Sequence, residues 1–170
     1  MPDGHEAERR REAGQEVLPQ GSLLGVTYGE HLLVWTLRRL VARRGACPLI
    51  AREFAEACGE DAGEVLSTLR IFLGLLGFAA RRRLAFGPPG WPGLTGDERR
   101  LLSLMAAAQT EDGLLFDAHL CWLARPEARR PVGLAARGLA SAFAEHQLWM
   151  STVVCPAIGR GERLRLRLVS

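Results

Sequence analysis

The sequence contains no lysine and no asparagine, and all 22 of its basic residues are arginine. Without lysine there is no P-loop ammonium to sit on β- and γ-phosphates. There is also no amine for a Schiff base. The protein-kinase signature needs both of the missing residue types. GxSxG, HExxH and GxGxxG are absent as well. The nearest approach, Gly159-Arg160-Gly161-Glu162-Arg163-Leu164, lacks the third glycine and opens no helix.

Long apolar runs are also missing. The longest uncharged one, Ile71 to Ala80, has ten residues including two glycines. A membrane span needs about 20. The start, MPDGHEAERRREAGQE, has no apolar stretch of the kind a secretory signal carries. Four cysteines (Cys47, Cys58, Cys121, Cys155) lie far apart with no CxxC, which favours reduced, mostly buried thiols. These features predict a cytoplasmic protein without membrane attachment. A chain filled with Leu, Ala and Arg fits a GC-rich bacterial coding sequence.

Metal and acid–base spacings are equally scarce. His119 and Cys121 stand two apart, about 200° around a helix, and cannot easily share a metal. Asp117 and His119 fail as a pair for the same reason. His31 and His146 each follow a glutamate, and no spacing joins them to the cysteines. The sequence therefore assigns no catalytic residue, no cofactor and no metal.

What is present suits one globular domain. The chain has 170 residues, 48% hydrophobic and 24% charged, with a pI near 9.0 but a net charge of only +3. That length buries roughly 70% of the unfolded surface. Residues 1–20 carry a net charge of −2 and almost no apolar side chains, so they are expected to be a disordered tail.

Periodicity then gives a series of helices. Leu33, Val34, Leu37, Leu40 and Val41 mark a central helix, with Glu30 at its start and Arg38, Arg39, Arg43 and Arg44 at its end, as the dipole favours. Gly45 and Pro48 stop it. A short helix runs from about Leu49 to Cys58. Asp61 and Glu64 read as a capping box for a third helix with Val65, Leu69, Phe72 and Leu76 inside, closed by Gly77. Arg81 to Phe86 reads as a strand, ended by the stiff loop Gly87-Pro88-Pro89-Gly90-Trp91-Pro92-Gly93.

Thr95-Gly96-Asp97-Glu98 is a second capping box, ahead of Leu101, Leu104, Met105 and Ala108. A helix from about Gly113 to Ala124, capped by Asp112, puts Leu115, Ala118 and Trp122 inside. Pro131 suits a helix N1 position, before Val132, Ala136, Leu139, Phe143, His146 and Met150. Strict alternation over Arg163–Leu168 predicts a basic C-terminal strand within 158–170, for which Ser151–Cys155 is one pairing partner. The reading is a mainly α fold: a compact multi-helix domain over 21–157, a small β-hairpin or wing element, and a C-terminal strand.

Residues 30–90 resemble a winged helix–turn–helix in order: long helix, short helix, capped helix ending Leu-Leu-Gly-Phe, basic strand, Gly/Pro loop. The resemblance implies a third helix in the DNA major groove and a wing on the phosphates. Arg81, Arg82 and Arg83 would then contact the backbone, and Ser67, Thr68 or Arg70 the bases. Yet the outward face of that helix begins with Asp61 and Glu64, which oppose a polyanion. Arg160, Arg163, Arg165 and Arg167 form a second basic row, giving 158–170 a charge of +3. It suits an acidic partner or protection of a strand edge. Few aromatics interleave with it, which argues against a single-strand stacking platform. Trp91 in its rigid loop is either an interface anchor or a cover for the core. The resulting expectation is a non-catalytic regulatory or protein-interaction domain. A winged-helix DNA-binding regulator is the alternative, and an enzyme with an assembled, motif-free site ranks third.

Overall fold

The protein is mainly helical. A computed structural model describes residues 23–42 and 47–151. Its α-helices are α1 (Tyr28–Ala42), α2 (Pro48–Cys58), α3 (Ala62–Ala79), α4 (Gly96–Gln109), α5 (Gly113–Leu123) and α6 (Arg129–Glu145). The tail 1–20 and the strand 158–170, with Arg160, Arg163, Arg165 and Arg167, lie outside the described residues.

Helix α1 opens on a capping box, Thr27 with Glu30, which the sequence reading did not single out. The Glu30 N–H donates to Thr27 Oγ1 at 3.2 Å, and the Thr27 N–H to Glu30 Oε2 at 2.7 Å. Glu30 also accepts from the Ser151 N–H, so the cap ties α1 to the end of the described chain. Val41, expected inside, is exposed.

Pro48 begins α2, where its missing N–H costs nothing. Asp61 does not cap α3. A 3₁₀ turn over Gly59–Asp61 carries the chain from α2 into α3, so Asp61 has helical backbone angles and accepts no N–H. Nor does Gly77 close α3, which continues to Ala79. An internal glycine costs about 1 kcal/mol, too little to end a helix whose Val65, Leu69, Phe72, Leu76 and Ala79 are all buried.

Helix α4 runs through the middle, with every residue from Leu101 to Ala107 buried. Its capping box forms as expected, Thr95 with Glu98. Asp112 caps α5 by accepting the Leu115 N–H. The phase of α5 differs from the expectation. Phe116, Leu120 and Leu123 are buried, while Leu115, Ala118 and Trp122 are exposed. The helix reads GLLFDAHLCWL, apolar on nearly every side, so periodicity could not choose between two stripes.

Helix α6 begins at Arg129, which makes Pro131 its third residue rather than N1. Any position in the first turn tolerates the missing N–H. It stops at Glu145, short of Met150. The Leu148 N–H reaches back to the Phe143 carbonyl and the Gln147 N–H to that of Ala144, with Gln147 at φ 59°. This is a Schellman ending with glutamine at the place glycine usually takes. Leu148 and Met150 are then buried from irregular chain.

Residues 81–86 form no strand, and no hairpin ladder occurs among the described residues. Ala80 makes an isolated antiparallel bridge with Ala124. The polar groups a hairpin would pair are held by the start of α4 instead: the Ala85 N–H by Asp97 and the Gly87 N–H by Glu98. The core itself matches expectation. Leu37, Leu69, Phe72, Leu139 and Phe143 are each no more than 1% exposed, and Phe54 meets Phe143 edge to face at 6.3 Å.

Candidate protein-interaction surface

The loop after α3 is fixed by two carboxylates in the first turn of α4. Glu98 is fully buried and meets Arg38 of α1, itself 2% exposed, through Nε at 2.7 Å and Nη2 at 2.8 Å. The guanidinium also donates to the carbonyls of Trp91 and Gly93, each at 2.6 Å. Glu98 further accepts from the Gly87 and Thr95 N–H groups. Burial pushes its carboxyl up, but Arg38 and the two N–H donors outweigh that and hold it below the ordinary range. A buried ion pair satisfied this completely is a structural lock.

Trp91 closes the lock. Its ring lies over Arg38, 5.4 Å from centroid to guanidinium carbon. A Cβ on Gly87 or Gly93 would come within 2.5 Å of the ring. Trp91 thus folds back onto its own loop, with 41% of its surface left to solvent.

The three loop arginines do not act alike. Arg82 donates to both Asp97 oxygens, at 2.6 and 2.9 Å. Burial raises the Asp97 carboxyl, but Arg82, the Ala85 N–H and Arg100 bring the net shift below the usual range. Arg82 and Arg100 both lie over the Trp122 ring, at 4.5 and 3.6 Å. Arg81 donates to the Cys121 carbonyl. Arg83 is exposed, and among the described residues its side chain makes no ion pair. One of the three arginines is therefore neutralised in place.

The outward face of α3 is unlike the polar face the sequence suggested. Thr68 is half-buried beside α6, whereas Ile71 is 58% and Phe78 84% exposed. Helical spacing aligns Gly63, Glu64, Ser67, Arg70, Ile71, Gly74 and Phe78 on this side, and all are exposed. The stripe sits on a firmly held helix end. Arg125 donates from its side chain to the Phe78 carbonyl and from its N–H to that of Ala79. The Arg81 N–H is taken by the Leu123 carbonyl.

Two concave regions flank α6. A cleft of about 450 Å³ against α3 is lined by Asp61, Glu64, Thr68, Ser141, Glu145 and His146. His146 Nε2 stands 3.5 Å from Asp61 Oδ2, but Ser141 donates to Glu145 on its own helix. No nucleophile–base relay is assembled there. A groove of about 390 Å³ against α5 has Phe116, Leu120 and Leu134 with Arg129, Arg130 and Arg137. His119, half-buried, faces Arg100, and burial first and that charge second push its imidazole toward the neutral form. Asp117 is exposed. Among the described residues no group of three or more His, Cys, Asp or Glu side chains is placed to hold a metal.

Sequence reasoning missed Ile71 and Phe78. Their signal was available by subtraction: once Val65, Leu69, Phe72 and Leu76 are assigned inward, both residues must point out. Compared with known proteins, the chain matches no family model, no curated protein and no solved structure.

Proposed function

We propose that this chain is a non-catalytic regulatory or protein-interaction domain whose docking surface is the outward face of α3. The supporting observation is the pair Ile71 and Phe78 on that face, 58% and 84% in solvent, with half-buried Leu75 between them. A lone exposed apolar side chain is ordinary. Two such side chains at i and i+7 on a helix anchored at its end fit a surface that another molecule covers. Burying Phe78 alone is worth about 1.5–3 kcal/mol.

The winged-helix reading has less behind it. Arg81 and Arg83 flank the same helix end, but Arg82 is bound to Asp97. The helix face carries Glu64 and two large apolar side chains where phosphate contacts would need charge.

A photo-reactive residue at position 78, compared with one at exposed Arg52, tests the reading in cells. Position 78 should give a discrete protein adduct, abolished by Ile71→Glu, and position 52 none. Adducts with nucleic acid alone, or equal yields from both positions, would overturn it.

A further inference from the structure

The occupant of this face can be narrowed by charge. Resting on the docking role of α3, we infer that it pairs with a second copy of itself, antiparallel, about a two-fold axis near Gly74. The helix is acidic where it starts and basic just past where it ends. Glu60 and Glu64 are exposed at one end, and Arg81 and Arg83 at the other. Among the described residues the side chains of Glu64 and Arg83 form no ion pair within the chain. Glu64 is in the first turn of the helix, and Arg81 and Arg83 follow its last residue, Ala79, so an antiparallel pair sets each acidic end beside the other copy's basic end. A parallel pair would set like on like. Antiparallel alignment also opposes the two helix dipoles.

The surface between these ends suits close approach. Gly63, Gly74 and Gly77 are all exposed on α3, and a Cβ on any of them would meet nothing inside the chain. Each glycine costs its helix roughly 0.5–1 kcal/mol relative to alanine, with no return from contacts within the fold. Between two copies they let the backbones come near, while Ile71 and Phe78 of each copy lie beside the axis. Every contact is made twice, as an isologous interface requires.

The size of the face sets the strength. Eighteen residues at about 1.5 Å each give a helix near 27 Å long and about 10 Å wide. That face is smaller than the roughly 800 Å² per partner of a standard stable complex. The pair is therefore a weak, reversible dimer.

Sedimentation velocity of the full chain, from about 1 µM to 1 mM, tests this. The chain should pass from monomer to dimer across that range. Phe78→Glu should remain monomeric, and because Phe78 is exposed its fold should persist by circular dichroism. Glu64→Arg and Arg83→Glu should each weaken association at least tenfold, and the two together should restore it to within a few-fold. A chain that stays monomeric throughout, or a dimer indifferent to Phe78→Glu, overturns the inference. Retention on phosphatidylglycerol vesicles without self-association also overturns it. A monomer whose position 78 still cross-links a different protein removes the second copy but leaves the docking face standing.

Discussion

Replacing Glu98 with alanine should be the most damaging single change at the start of α4. Glu98 accepts four hydrogen bonds: two from Arg38, one from the Gly87 N–H and one from the Thr95 N–H. Its loss strands a guanidinium that is 2% exposed and frees two backbone donors. Breaking a buried pair from one side costs about 3–5 kcal/mol. The upper end is bounded, because the loop through Trp91 can lift and let Arg38 reach water. For a domain of this size each kcal/mol lowers the Tm by about 2–4 °C, so a drop of roughly 6–20 °C is expected. Thermal and urea melts followed at 222 nm read it directly. Arg38→Met combined with Glu98→Ala should cost less than the two single changes added together, because neither charge is then left alone. A loss below about 1 kcal/mol for Glu98→Ala, or strict additivity in the double variant, would show that the pair does not hold the loop.

Three further outcomes follow from particular contacts. Phe143→Ala should cost about 3–5 kcal/mol in urea melts, through lost transfer energy and a cavity beside Phe54. Gly29→Ala puts a Cβ 2.9 Å from the Leu148 backbone, so it should destabilise and speed hydrogen exchange over 147–151, whereas Gly74→Ala should not. Asp97 and Glu98 both have carboxyls held below their ordinary values. The unfolded chain therefore binds protons first, near pH 4. Stability should be level above about pH 5 and fall as pH drops through the depressed folded values, and Asp97→Asn should flatten that fall in melting curves.

Much of the scaffold was legible because it is local. Thr95 and Glu98 sit three apart, and their reciprocal cap needs nothing else. The second role of Glu98 was not legible, because its partner Arg38 is 60 positions away and looked like an ordinary basic residue near a helix end. Arg82 and Asp97 were separated by the same blindness to distance, which turned a pinned loop into an expected wing. In α5 the sequence offers two apolar stripes and only the neighbouring helices choose between them. Gln147 in a left-handed turn ended α6 without the glycine that would have announced it. The outward face of α3 shows the opposite limit. Ile71 and Phe78 carry no motif, and they stand out only when inward positions are subtracted from an apolar run.

Whether Phe78 is covered in the working protein is the most direct test of the docking face. Hydroxyl-radical footprinting in intact cells, compared with the dilute purified chain, reads the side chain itself. Leu114 on α5, 88% exposed and outside the face, serves as the internal reference. Phe78 and Ile71 should be labelled freely when dilute and protected several-fold in cells, with Leu114 unchanged. Equal labelling of Phe78 in both settings would contradict the account.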